Sequence, residues 1–256
     1  MLNFYGIPIC EVLLNRAISK LVEELNSGLC KNSQSHCISA TGAHGLVIAH
    51  EDSYFKFILQ QFYWNLPDGV PLVWWGRLKG YSQMDRCYGP DFFGGVMQAT
   101  SSMEVAHFFC GGKPGVAYEL KVAAENKWGN KNIGGTYCPP FVPMQEKNWA
   151  ELISKINKSK AQIIWVGLST PKQEKFAFEL SKRVNVMFII TIGAAFDFHT
   201  GKLAQAPKWM QRLGLEWFFR LLKEPRRLGK RYLEIVPKFA ILAGVDLIKH
   251  YLRKIA

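Results

Sequence analysis

The chain has 256 residues, 48% of them hydrophobic, and a formal net charge of +12. That length suits one large α/β domain or a domain with an appendage, and the apolar fraction is that of a globular chain. The charge is uneven: residues 201–256 hold thirteen Lys or Arg against four acidic residues, a net +9, leaving +3 for the first 200.

From the start of the chain, Met1 to Glu11 lacks the basic beginning and apolar core of a signal peptide. Buried strands are expected at Cys37–Thr41, Val105–Cys110, Gln162–Leu168 and Val186–Ile192, each a short apolar run followed by a turn rich in small residues. Helical stretches such as Val116–Lys127 and Glu174–Arg183 alternate with them, the signature of a doubly wound sheet. Near Pro207 the pattern changes. Met210, Leu213, Trp217 and Leu221 recur at helical spacing among Lys208, Arg212, Arg220 and Lys223. Pro225 is expected to end that helix, and Pro237 to separate a helix at Arg226–Ile235 from a last one. The division expected is an α/β body over residues 1–203 and a basic helical appendage over 204–256. The longest apolar run near the end, Phe239–Ile248, is about half a bilayer span and contains Asp246. A cytosolic protein without a transmembrane helix is expected. The six cysteines form no CxxC pair and the histidines are scattered, so reduced cysteines and no metal site are expected.

Four loops carry residues with chemical potential. The loop Asn65-Leu66-Pro67-Asp68-Gly69 holds strong turn chemistry in Pro-Asp-Gly, and it also offers Asp68 as a carboxylate base for a hydroxyl proton. Gly111-Gly112-Lys113-Pro114-Gly115 follows a strand and opens a helix, which suits a phosphate; it matches neither a Walker A loop nor GxGxxG, so an ordinary turn is the alternative. In Thr170-Pro171-Lys172-Gln173, Thr170 suits an N-cap, Pro171 the first helical position and Gln173 a capping box; a hydrogen bond from Gln173 to ligand is the alternative. Gly193-Ala194-Ala195 permits close approach of a flat ligand such as a nucleobase, while Asp197 suits either that ligand or a helix cap. The basic tail fits nucleic acid or acidic lipid. Its aromatics, each close to a cation, favour the lipid surface.

Taken in order, these runs resemble a known family. Thr41-Gly42-Ala43-His44-Gly45, Pro67-Asp68-Gly69, Arg86-Cys87-Tyr88-Gly89-Pro90-Asp91, the Gly111–Gly115 loop, Pro171–Lys175, Gly193–Phe198, Ala206–Met210, Leu215-Glu216-Trp217 and Glu224-Pro225-Arg226-Arg227 are similar to the bacterial glycosyltransferases that include the teichoic-acid N-acetylmannosaminyltransferase and the N-acetylmannosaminuronic acid transferase of enterobacterial common antigen. The resemblance implies a Rossmann-like α/β fold and an inverting, metal-independent transfer without cofactor. The implied donor is a UDP-sugar. The implied acceptor is a polyprenyl-diphosphate-linked saccharide at the cytoplasmic face of the inner membrane. It makes Asp68 the general base, with Thr41 and Gln173 in the same pocket. Arg86, Gly111, Gly112, Lys113, Gly193, Asp197, Arg220 and Arg227 are then expected around the donor and its diphosphate, with Lys230 where an arginine is common. Leu66-Pro67 and Ala43 depart from the family's usual residues beside the pocket, which leaves the donor sugar open among N-acetylmannosamine, a glucuronic acid and glucose. A homo-oligomer is left open. The rivals are a nucleic-acid-binding α/β protein and a dinucleotide-dependent oxidoreductase, the latter disfavoured by the missing GxGxxG.

Overall fold

The four glycine-bounded apolar runs form strands close to where the sequence puts them. In the computed structural model, which describes residues 2–27 and 35–255, the chain opens with β1 (Leu2–Phe4), β2 (Ile7–Ile9) and α1 (Leu14–Ser27). The body continues through β3 (His36–Thr41), α2 (Ala43–Glu51), α3 (Ser53–Gln61), β4 (Trp64–Pro67), α4 (Val70–Leu78), α5 (Gly89–Ala99), β5 (His107–Gly111) and α6 (Val116–Trp128). Then come β6 (Ile133–Tyr137), α7 (Glu146–Ser159), β7 (Ile163–Gly167), α8 (Lys172–Ser181), β8 (Phe188–Thr191) and α9 (Ala195–His199). Three helices finish the chain: α10 (Lys208–Arg212), α11 (Glu216–Lys223) and α12 (Pro225–Ile255).

Six strands make one parallel sheet in the order β4-β3-β8-β7-β5-β6. The fold is α/β and Rossmann-like. Alternation along the strands builds two cores. Ile163 and Trp165 of β7 join α1, α5 and α6 on one face, while Ile164 and Val166 join α3, α7 and α8 on the other. Connections stepping toward β6 place α5 and α6 on the first face, and those stepping toward β4 place α3, α7 and α8 on the second, as right-handed crossovers require. All carboxyl ends therefore open on one edge, where ligands of such sheets bind.

Several expectations need correction. Asn65–Pro67 is not loop but the end of β4, and only Asp68 and Gly69 turn before α4. The predicted helix after Pro207 is two helices, broken at Gly214, whose φ of +70° ends the first one. Pro237 does not break α12, which runs unbroken through it. Pro237 and Leu233 are both exposed, so water can take the carbonyl that the missing N–H leaves free. Five of the six cysteines are free; Cys30 lies outside the described residues.

The C-terminal helix is anchored by its own side chains. Phe239 and Ala243 are buried in a third core with Phe4, Leu46 and Trp75, and burying a side chain such as Phe239 contributes about 1.5–3 kcal/mol. Asp246 accepts from Trp75 Nε1 at 3.1 Å and from Lys79 Nζ at 2.7 Å. Tyr5 Oη donates to the Leu242 carbonyl at 3.0 Å. Among the described residues no helix is long and apolar enough to cross a membrane.

Candidate active site

Thr41 ends β3 and Pro67 ends the adjacent β4, with these two residues paired in register. The Asp68 amide donates to the Thr41 carbonyl at 3.0 Å, which carries the ladder one residue further and sets Asp68 on the open edge of the sheet. A Cβ on Gly42 would lie 2.6 Å from the Asp68 carbonyl oxygen, so only glycine lets the two strand ends approach this closely. Below them Thr41 Oγ1 donates to Asn65 Oδ1 at 3.2 Å, and Asn65 Nδ2 donates to the carbonyls of Pro8 and Leu59.

Burial pushes the Asp68 carboxyl up to about 7. Arg86, the Gly89 amide and Arg220 pull it down, while Glu216 pushes it further up. Those neighbours come from distant parts of the chain. Arg86 precedes α5, and Glu216 and Arg220 lie on α11. Arg86 Nη2 and Glu216 Oε2 pair at 2.5 Å with both side chains largely buried, and Tyr88 Oη donates to Glu216 Oε1. The Arg86 guanidinium lies 3.9 Å from the Tyr88 ring centroid, and Arg220 lies 5.6 Å from that of Phe198. Helix α11 thus packs beside the end of β4.

The loop before α8 does not cap its helix as expected. The N-cap position is Pro171, without a side-chain cap, and the Thr170–Pro171 bond is cis. Gln173 is buried and turned to the sheet edge: its Oε1 accepts from the Gly193 amide at 3.0 Å, and its Nε2 donates to Glu174 Oε1 at 2.9 Å. Thr170 Oγ1 and Ser39 Oγ donate to that same oxygen at 2.9 and 3.4 Å. Burial raises the Glu174 carboxyl, so its proton is held more tightly than in water. Gln173 therefore fixes the loop after β8, where Gly193 sits, to the loop after β7.

The remaining loops line the same edge. Gly111 has a φ of +150° and a Cβ there would lie 2.4 Å from the Gly167 carbonyl oxygen, so β5 and β7 end in contact. The Gly112 amide donates to that carbonyl at 2.9 Å; Lys113 is exposed. Asp197 lies inside α9, not at its cap. Burial raises its carboxyl, and Arg227, Lys202 and Lys113 oppose that shift. Arg227 pairs with Glu224 at 2.5 Å.

Two participants escaped the sequence. Glu216 sits within a motif but shows no role until the fold brings it to Arg86. Arg231, rather than the exposed Lys230, joins the cluster of Arg220 and Arg227. It also faces His44, whose imidazole burial and Arg231 together push down to about 4. Arg227 and Arg231 lie four residues apart on α12 and so share one of its faces, while Arg220 comes from α11 across the break at Glu224.

A cleft of about 920 Å³ lies elsewhere, between α1 and β4, beside Cys10, Arg16, Lys20 and Trp64. Among the described residues no group of three or more His, Cys, Asp or Glu is placed to hold a metal ion. A family model described as glycosyl transferase WecG/TagA/CpsF family matches residues 2–253.

Proposed function

This chain belongs to the WecG/TagA/CpsF family of glycosyltransferases, enzymes of cell-surface polysaccharide biosynthesis, and from that premise we propose an inverting transfer from a UDP-sugar to a polyprenyl-diphosphate-linked saccharide. The observation that carries the reading is the setting of Asp68: a half-buried carboxyl pushed up to about 7, flanked by Arg86 and Arg220. A general base works best when its pKa lies near the operating pH. Asp68 takes the proton of the acceptor hydroxyl as that oxygen bonds to the anomeric carbon. The bond from that carbon to the nucleotide diphosphate breaks on the opposite face, which inverts the centre. Arg86, Arg220 and Arg227, with the Gly111–Lys113 loop, stabilise the departing diphosphate where negative charge builds. Thr41 and Gln173 hold the strand ends in place. Gly193 and Asp197 lie on the donor side. The reaction as proposed needs neither metal nor cofactor.

The division of labour proposed is a catalytic body, 1–203, and a membrane-associating appendage, 204–256, at the cytoplasmic face of the inner membrane. Support comes from apolar side chains left in solvent: Trp209, Leu213, Phe218 and Leu222, then Leu233, Ile241, Ile248, Leu252 and Ile255. Trp74 and Leu78 of α4 extend this surface. Trp74 lies 3.6 Å from where a Gly214 Cβ would stand, and the Leu78 carbonyl accepts from Tyr251. Apolar groups interleaved with twelve cations suit an anionic bilayer, where each nearby cation contributes about 1 kcal/mol. Nucleic acid would use the cations but leave this apolar surface wet.

A screen of nucleotide sugars for thermal stabilisation tests the donor, since binding to the folded state raises its stability. Stabilisation by UDP-sugars, followed by transfer to a lipid-linked acceptor with inversion, is expected. No stabilisation by any UDP-sugar would overturn the donor assignment.

A further inference from the structure

Arg86 stands between two carboxylates. One is Asp68 on the body; the other is Glu216 on the appendage. Glu216 receives both Arg86 and the Tyr88 hydroxyl, one on each oxygen. A carboxylate held on both oxygens is fixed in position and orientation. The charged and titratable groups around Asp68 are Arg86, Cys87 and Tyr88 from the segment entering α5, and Glu216 and Arg220 from α11. Arg86 Nε is buried and finds no partner among the described residues, so the guanidinium keeps a buried donor, besides those on its Nη atoms, that Glu216 does not use.

We propose that Glu216 is a positioning residue for sugar transfer: it pins α11 over the site and draws the Arg86 guanidinium off Asp68, so that docking of the appendage leaves the base free to take a proton. This rests on Asp68 being the base. Without Glu216 the guanidinium turns to the remaining carboxylate. An Asp68 paired wholly with Arg86 is stabilised as the anion and becomes a weaker base. Glu216 is thus the counterweight that lets one arginine serve the diphosphate without disabling the base beside it. The body and appendage are then coupled chemically as well as sterically, because the appendage supplies a charge that the body alone lacks.

The test reads Asp68 directly. In the full chain carrying ¹³C-carboxyl aspartate, the carboxyl resonance lost in Asp68→Asn identifies the residue, and its titration is followed by NMR. Glu216→Gln keeps the size and hydrogen-bonding reach of the side chain but removes its charge, and should lower the Asp68 midpoint by about one pH unit or more. Glu216→Asp keeps the charge and should leave the midpoint near that of the parent. An unchanged midpoint in Glu216→Gln, or an equal fall in both variants, overturns the proposal. A transfer assay on the same proteins separates the two readings. If the parent transfers no sugar, the functional reading fails while the NMR result still decides whether Glu216 controls Asp68. If it does transfer, the acid limb of kcat/KM moves down with the NMR midpoint in Glu216→Gln.

Discussion

Arg86 and Glu216, 130 residues apart in the chain, meet at 2.5 Å beside Asp68. This pair joins the segment before α5 to α11, and it sets a cation and its counter-ion next to the proposed base. The consequences are testable at several points.

Asp68→Asn should lower turnover by about 10²–10⁴-fold, the usual contribution of a positioned base. Donor affinity should stay close to that of the parent, because Arg86, Arg220 and the glycine loop are untouched. Steady-state transfer combined with calorimetric binding of the donor separates the two effects. Near-parental turnover would remove Asp68 from the chemistry.

The same carboxyl should make stability depend on pH. It is pushed up from 3.8 to about 7 in the folded protein, so between those values the folded state holds a proton that the unfolded chain has released. Stability from this group therefore falls as pH rises through that window and is lowest above it. Melting curves should show Asp68→Asn gaining stability over the parent at pH 8 and little at pH 4. An equal gain at both would mean that the buried charge is not the cause.

Gln173→Ala removes the acceptor of the Gly193 amide and a donor to Glu174. Leaving buried polar groups unpaired costs about 1–3 kcal/mol. Chemical denaturation should show that loss, and donor binding should weaken as the loop after β8 loosens.

Gly42→Ala puts a methyl group 2.6 Å from the Asp68 carbonyl oxygen. The base loop must shift to admit it, and a shift of about 1 Å near reacting groups costs roughly 10²-fold in rate. Transfer should fall much more than thermal stability does.

Replacing Ile241, Ile248 and Leu252 together by Ser should reduce flotation with anionic vesicles. All three are exposed, so the melting temperature should hold. The opposite surface of α12, with Phe239 and Ala243, is the one that supports the fold. Duplex DNA at physiological salt is the control; if it, rather than vesicles, captured the parent chain, the membrane assignment would fall.

The inner strands were legible because continuous apolar runs between glycines leave few other options. The edge strands were not. β4 and β6 close the two sides of the sheet; β4 carries Asn65 and Pro67, and β6 carries Gly134 and Gly135, so neither has the composition of a central strand. An edge strand tolerates proline and glycine because it pairs on one side only. Pro237 misled for a related reason. A proline on the exposed side of a helix whose other side is anchored by Phe239 removes one hydrogen bond without uncoupling the turns.

Sequence by itself determined the fold class, the family resemblance and the loops from which the site is built, since these reside in local patterns of apolar spacing, glycine and proline. It also named Asp68, Arg86 and Arg220 one at a time. Only the tertiary structure decided that Glu216 stands with them, that Arg231 rather than Lys230 faces the cluster, and that Gln173 bridges two loops instead of capping a helix. The reason is physical. Burial and the field of nearby charges give these groups their chemistry, and both depend on distances between segments that no local pattern encodes.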